Sequence, residues 1–180
     1  MKYLFWSLTA SFVLALTACN GTSEKNASTE SSAASDQGTF SELFLHYQHL
    51  TAVLSSDDDK EAANAANGML EALLNVNTES FSAEQKSTFD DIAADIQKHS
   101  EHIHDNIGNI ANQREHLADL SEDFYDIAKE FGTEKPVYKI FCSMYDDNKG
   151  AYWLSDSKEV KNPYYGEQML TCGEVQEELM

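Results

Sequence analysis

The chain has 180 residues, with 12 Lys+Arg against 31 Asp+Glu, for a formal charge of −19. That length suits one domain rather than two, and the charge opposes nucleic acid or an anionic membrane surface as a partner of the polypeptide itself. A 42% hydrophobic and 11% aromatic composition with two prolines predicts a folded, helix-rich core whose helices run unbroken.

The chain begins Met1-Lys2, runs through the apolar stretch Tyr3 to Leu16 and reaches Leu16-Thr17-Ala18-Cys19. Such a segment reads as a secretory signal, too short for a stable membrane span. The Cys placed directly after Leu-Thr-Ala resembles the bacterial lipoprotein box. That resemblance implies a signal peptide over 1–18, lipidation at Cys19, and a lipid rather than a helix as the membrane anchor. Residues 20–38 hold no large apolar side chain and are dominated by Ser, Thr, Ala and Asn, so 19–38 reads as a lipidated Cys with a flexible linker. Its mean reach is about 25 Å. No acidic run follows Cys19, which points to the periplasmic face of the outer membrane.

Four amphipathic helices follow. Thr39-Phe40-Ser41-Glu42 matches a capping box, and Phe40, Leu43, Tyr47, Leu50 and Leu54 recur at helical spacing, predicting a helix over about 40–55. Ser56 to Asp59 supply a cap and favourable negative charge for a second helix over about 58–76, with Ala62, Ala66, Met69, Leu70 and Leu73 as its stripe. Ser82-Ala83-Glu84-Gln85 opens a third over about 83–104, with Phe89, Ile92, Ile96, His99 and Ile103 inward. After the polar break at 105–109, Ile110, Leu117, Leu120, Phe124, Ile127 and Phe131 carry a fourth helix up to Gly132. The expected fold is mainly α: an up-down four-helix bundle within a 39–180 domain. Beyond Pro136, Val137–Cys142 and Ala151–Leu154 are short β-prone runs around the turn Asp146–Gly150. An irregular tail over about 136–180, with short β segments, should lie on the bundle.

The tail concentrates sulfur. Cys142-x-Met144 on a strand would point both sulfurs to one face, and Met169-x-x-Cys172 would do so on a helical turn. Two thiols and two thioethers favour Cu(I); thiolates also accept zinc, for which thioethers are poor ligands. With Cys19 lipidated, the remaining pair in an oxidising compartment can instead form a Cys142–Cys172 disulfide, leaving Met144 and Met169 as filler. A second cluster comprises His99, His102 and His104 at the end of the third helix and His116 at the start of the fourth. An antiparallel pair of helices brings His99 level with His116, so His99, His102 and His116 are auxiliary metal candidates. No phosphate loop, HExxH, CxxC, CxxCH or GxSxG is present, so the sequence points away from an enzyme.

Asn112-Gln113-Arg114-Glu115-His116-Leu117, Cys142-Ser143-Met144, Asn148 to Ser155 and Asn162-Pro163-Tyr164-Tyr165-Gly166-Glu167-Gln168-Met169-Leu170-Thr171-Cys172-Gly173-Glu174-Val175 resemble an uncharacterised helical domain. That domain occurs in free-standing bacterial lipoproteins and fused to Cus-type heavy-metal efflux periplasmic adaptors. The resemblance implies a helical bundle with a Cys/Met tail and an association with copper or other heavy metals. Ser143 stands where the family pattern usually has proline, which loosens the spacing between Cys142 and Met144. The resulting expectation is a lipid-anchored periplasmic metal-binding protein, with copper as Cu(I) or else zinc, buffering metal or passing it to an efflux adaptor. The alternative is a non-catalytic interaction module whose disulfide-closed tail docks through Trp153, Tyr164 and Tyr165.

Overall fold

The computed structural model describes residues 39–180; the expected signal segment over 1–18, the expected lipidation site Cys19 and the expected linker lie outside the described residues. Four helices, α1 (Ser41–Ser55), α2 (Asp59–Leu74), α3 (Ala83–Asp105) and α4 (Ile110–Phe131), follow one another up and down. Three start on side-chain caps. Asp58 accepts from Glu61 N–H at 3.0 Å, and Asn109 accepts from Asn112 N–H at 3.3 Å. Ser82 and Gln85 exchange both bonds of a capping box, each at 3.1 Å.

The capping box expected at Thr39 does not form. Phe40 is the N-cap of α1 and gives no side-chain cap bond, while Ser41 Oγ donates to Glu134. Tertiary packing overrides the local motif here: Phe40 is buried against Phe81, Phe89 and Phe131, with ring centroids 6.0, 5.6 and 5.1 Å away. Such pairs add about 0.5–1.5 kcal/mol each beyond the area they bury, comparable with the cap they displace.

The stripes meet in one core. Tyr47, Leu50, Leu54, Ile96, Ile103, Leu117, Leu120, Phe124 and Ile127 are fully enclosed. Helix α2 contributes small residues, Ala62, Ala65, Ala66 and Ala72, so its neighbours approach closely. Gly68 faces the His46 imidazole, which occupies the space a Cβ would need.

After Gly132, whose φ of +80° ends α4, the tail forms an antiparallel sheet ordered β2-β1-β3: β1 (Val137–Cys142), β2 (Ala151–Ser155) and β3 (Glu174–Leu179). Ile140 on β1 stands between Trp153 and Val175. The third strand was not foreseen, because Glu-Val-Gln-Glu-Glu-Leu has neither alternation nor an apolar run. It is held as an edge by β1 and by Glu177, which accepts from Tyr125 Oη at 2.8 Å and Lys129 Nζ at 3.1 Å. Between β1 and β2, Asp146, Asp147 and Asn148 have φ of 48°, 54° and 69°. This left-handed run costs non-glycine residues of order 1–3 kcal/mol each, least for Asp and Asn.

Polar contacts weld the tail to the bundle. Leu154 N–H donates to Tyr47 Oη at 3.1 Å, and Tyr47 meets Ser121 Oγ at 2.8 Å. Buried Arg114 donates from Nε to Pro163 O at 2.7 Å and from Nη2 to Leu54 O at 2.8 Å and to Asp57. That guanidinium holds the Asp57 carboxyl below the usual range. Asn162, wholly enclosed, accepts from Tyr164 N–H at 2.8 Å and Tyr165 N–H at 3.1 Å, and donates to Cys172 O at 2.7 Å.

Candidate metal centre

The α3–α4 turn sets the centre. Asn109 caps α4, Gly108 takes φ +88° to reverse the chain, and Gln113 Nε2 donates both to Ile103 O at 3.1 Å and to Asp59 O at 2.9 Å. These contacts fix the axial register of the two helices. Residues three apart share a helix face, so His99 and His102 on α3 face His116 and Asp119 on α4.

His99 Nδ1 lies 3.0 Å from His116 Nδ1 and 3.3 Å from Asp119 Oδ2. The donor atoms of His99, His116 and Asp119 all lie within 4.8 Å of one another, the one such His/Cys/Asp/Glu group among the described residues. His102 stacks on His116, with centroids 4.5 Å apart and planes 7° from parallel. It therefore presents a ring face, not a nitrogen, to its neighbour. His99 is 6% exposed, His116 is half-buried and Asp119 is open to solvent. His104 turns away, with Nδ1 3.3 Å from Ala63 O.

Electrostatics favour neutral rings. Burial pushes the His99 imidazolium down first, and Lys98 and His116 add to this, against the opposing pull of Asp119. Burial and then the nearby His102 lower His116 in the same sense. Neutral imidazoles carry the lone pairs that a metal needs. Two nitrogens about 2.0–2.1 Å from one ion and 3.0 Å from each other subtend roughly 95° at it. That angle suits tetragonal Cu(II); tetrahedral Zn(II) needs the rings to part by about 0.3 Å. Two imidazoles and a carboxylate are borderline-to-hard donors, unlike the thiolate and thioether set expected in the tail.

Of the site residues read from sequence, the bundle brings His99 and His116 into contact and places His102 beside them. Asp119 was missed, since it passed as one more acid on a wet helix face; its position three residues after His116 was the available signal. Asp123, one turn further on α4, has an Oδ2 enclosed without a partner. Burial first, then Asp95, Asp126, Asp119 and Glu122, push its carboxyl up to about 7.

In the tail, Cys142 and Cys172 are joined as a disulfide with Cα atoms 5.7 Å apart. Bonded to one another, the two sulfurs offer no thiolate. Strand β1 ends at Cys142, so Met144 falls in the following turn, half-exposed, and the strand alternation expected to align Cys142 with Met144 does not reach it. Met169 O accepts from Cys172 N–H at 2.9 Å, a single turn that follows the 3-10 segment Gly166–Gln168. Trp153 and Tyr164, expected as docking anchors, are 1% and 3% exposed and belong to the core.

Residues 43–136, from α1 through all of α4 to the loop before β1, match a family described as "Protein of unknown function (DUF3347)". The chain belongs to this family. The matched span contains His99, His102, His116 and Asp119 and stops short of both tail cysteines. No curated protein and no solved structure matches the chain.

Proposed function

We propose that this member of the family is a lipid-anchored, periplasm-facing protein that holds a transition-metal ion, copper foremost, and buffers it or delivers it to an efflux adaptor. One observation carries the reading: His99, His116 and Asp119 converge from two helices onto one point, with both rings held neutral by their surroundings. The donor set accepts Cu(II) or Zn(II), and His102, stacked at the rim, completes four ligands if its ring turns inward. The chemistry is binding and release, without catalysis. The leader ending Leu16-Thr17-Ala18-Cys19 supports the anchor, and the resemblance to efflux-associated lipoproteins supports the destination. Reduction of the Cys142–Cys172 bond frees two thiols, a softer donor pair suited to Cu(I).

The test is competition titration of the mature chain with Cu(II) and with Zn(II) against chromophoric chelators. One ion per chain is expected, with affinity falling at least tenfold in His99→Ala and in Asp119→Ala and unchanged in His104→Ala. Equal affinity across all of these variants refutes the site. Anaerobic Cu(I) titration of the reduced chain against Cys142→Ser/Cys172→Ser tests the tail separately.

A further inference from the structure

Asp119 has a second neighbourhood. It also borders a cleft of about 580 Å³ between α4 and the tail. The carboxylates of Glu115 and Asp119 line one wall from successive turns of α4, and Asp146, carried by the left-handed run after β1, lines the other. Three tyrosines line the cleft as well: Tyr145 stacks on Tyr164 with centroids 4.4 Å apart and meets Tyr165 edge-on at 6.1 Å. Two cations are near, and both are committed. Arg114, which also lines the cleft, is bonded through Nε and Nη2 to Pro163 O, Leu54 O and Asp57, and Lys149 Nζ pairs with Asp146 at 2.8 Å. The negative field is felt within the cleft: after burial, Glu115 and Asp146 are what push the Tyr145 phenol up to about 12.

We infer that this cleft receives an Arg- or Lys-bearing segment of a partner protein, and that its occupation competes with metal for Asp119. This rests on the metal reading above. Carboxylates and tyrosine faces together select a cationic group, through charge-assisted hydrogen bonds and cation–π contact, whereas an acidic or phosphorylated ligand meets three carboxylates. A guanidinium spanning the cleft reaches the same carboxylate that supplies the third metal donor. Docking then withdraws one ligand from the His99–His116 pair and loosens the ion at the moment a recipient is present. By linkage, metal weakens the cationic segment by the same factor as the segment weakens metal.

The probe is an acetylated, amidated tetra-arginine peptide titrated into the mature chain by calorimetry, with and without bound Zn(II). Saturable binding at one site is expected, weakened about fivefold or more by the metal, with the reciprocal loss in metal affinity. Glu115→Gln/Asp146→Asn, which spares the metal donors, should lose at least tenfold in peptide affinity and keep its metal affinity. Glu79→Gln/Glu84→Gln, a charge-matched change at the opposite end of the bundle, should keep both. Equal loss in the two double variants overturns the cleft, because it means attraction to net charge alone. Peptide binding indifferent to metal overturns the link through Asp119. A chain that binds metal but no peptide defeats this inference and leaves the metal reading standing. A chain that binds peptide at the cleft but no metal defeats the metal reading and, with it, the competition for Asp119, and leaves only the docking of a cationic segment.

Discussion

Changing Arg114 to Lys preserves the charge and removes the planar fork, which tests whether the tail is held by geometry or by attraction. Arg114 is 7% exposed, and from α4 its donors reach Leu54 O and Asp57 at the end of α1 and Pro163 O in the tail. A single ammonium on a narrower head meets one of them well. Pro163 O is then the carbonyl that stands to lose its donor, at about 1–3 kcal/mol, because Leu54 O also accepts from Asp57 N–H at 3.3 Å, and Asp57, partly exposed, adds under ~1 kcal/mol. The expected loss is about 1–4 kcal/mol, equivalent to a melting temperature roughly 3–12 °C lower for a domain of this size. Urea unfolding followed by far-ultraviolet circular dichroism measures it. Hydrogen exchange should show the amides of Tyr164 to Glu167 opening faster than those of α2 and α3. A Lys variant within about 0.5 kcal/mol of the parent, with tail amides equally protected, refutes the reasoning, since that is the range of ordinary surface changes.

Three further outcomes follow from the same packing. Asp123 has a folded-state carboxyl raised to about 7, so its ionisation opposes folding: its contribution is fully retained below the unfolded value near 4 and is lost as pH rises through 7. Asp123→Asn should therefore stabilise the chain at pH 8 by about 1–2 kcal/mol, discounted for partial exposure, and be neutral at pH 4, as denaturant midpoints at the two pH values will show. Cys142→Ser/Cys172→Ser opens a loop with a separation of 30 residues, and chemical denaturation should register a loss of about 3 kcal/mol. In Gly166→Ala, a residue at φ +57° places a Cβ against Asp57 and the Arg114 guanidinium; thermal unfolding should report a loss of about 1–3 kcal/mol, with α3 and α4 still helical.

Legibility varied with how local the determining physics was. The four helices could be read because apolar residues repeat at helical spacing and because Ser82, Asp58 and Asn109 cap through neighbours three residues away. Thr39 offered the same local signal and failed, since burying Phe40 against Phe81, Phe89 and Phe131 outweighs one exposed hydrogen bond. Strand β3 left no trace in the sequence because its support comes from β1, Tyr125 and Lys129. Of the centre, His99 and His116 could be placed level by counting turns on either side of the 105–109 break. Asp119 was indistinguishable by composition from the other acids on the helix surfaces.

By itself, then, the amino-acid order determined where helices begin and end, which stripe of each turns inward, and that imidazoles gather at the α3–α4 turn. Those outcomes depend on contacts within one or two turns of chain. Only the tertiary structure decided that Cys142 meets Cys172, that Arg114 knots α1, α4 and the tail, and that Asp119 stands between an imidazole pair and a tyrosine-lined cleft. The physical reason is that each of these joins segments far apart in the chain, where burial, desolvation and competition among many acids choose the partner, and no spacing rule records the choice.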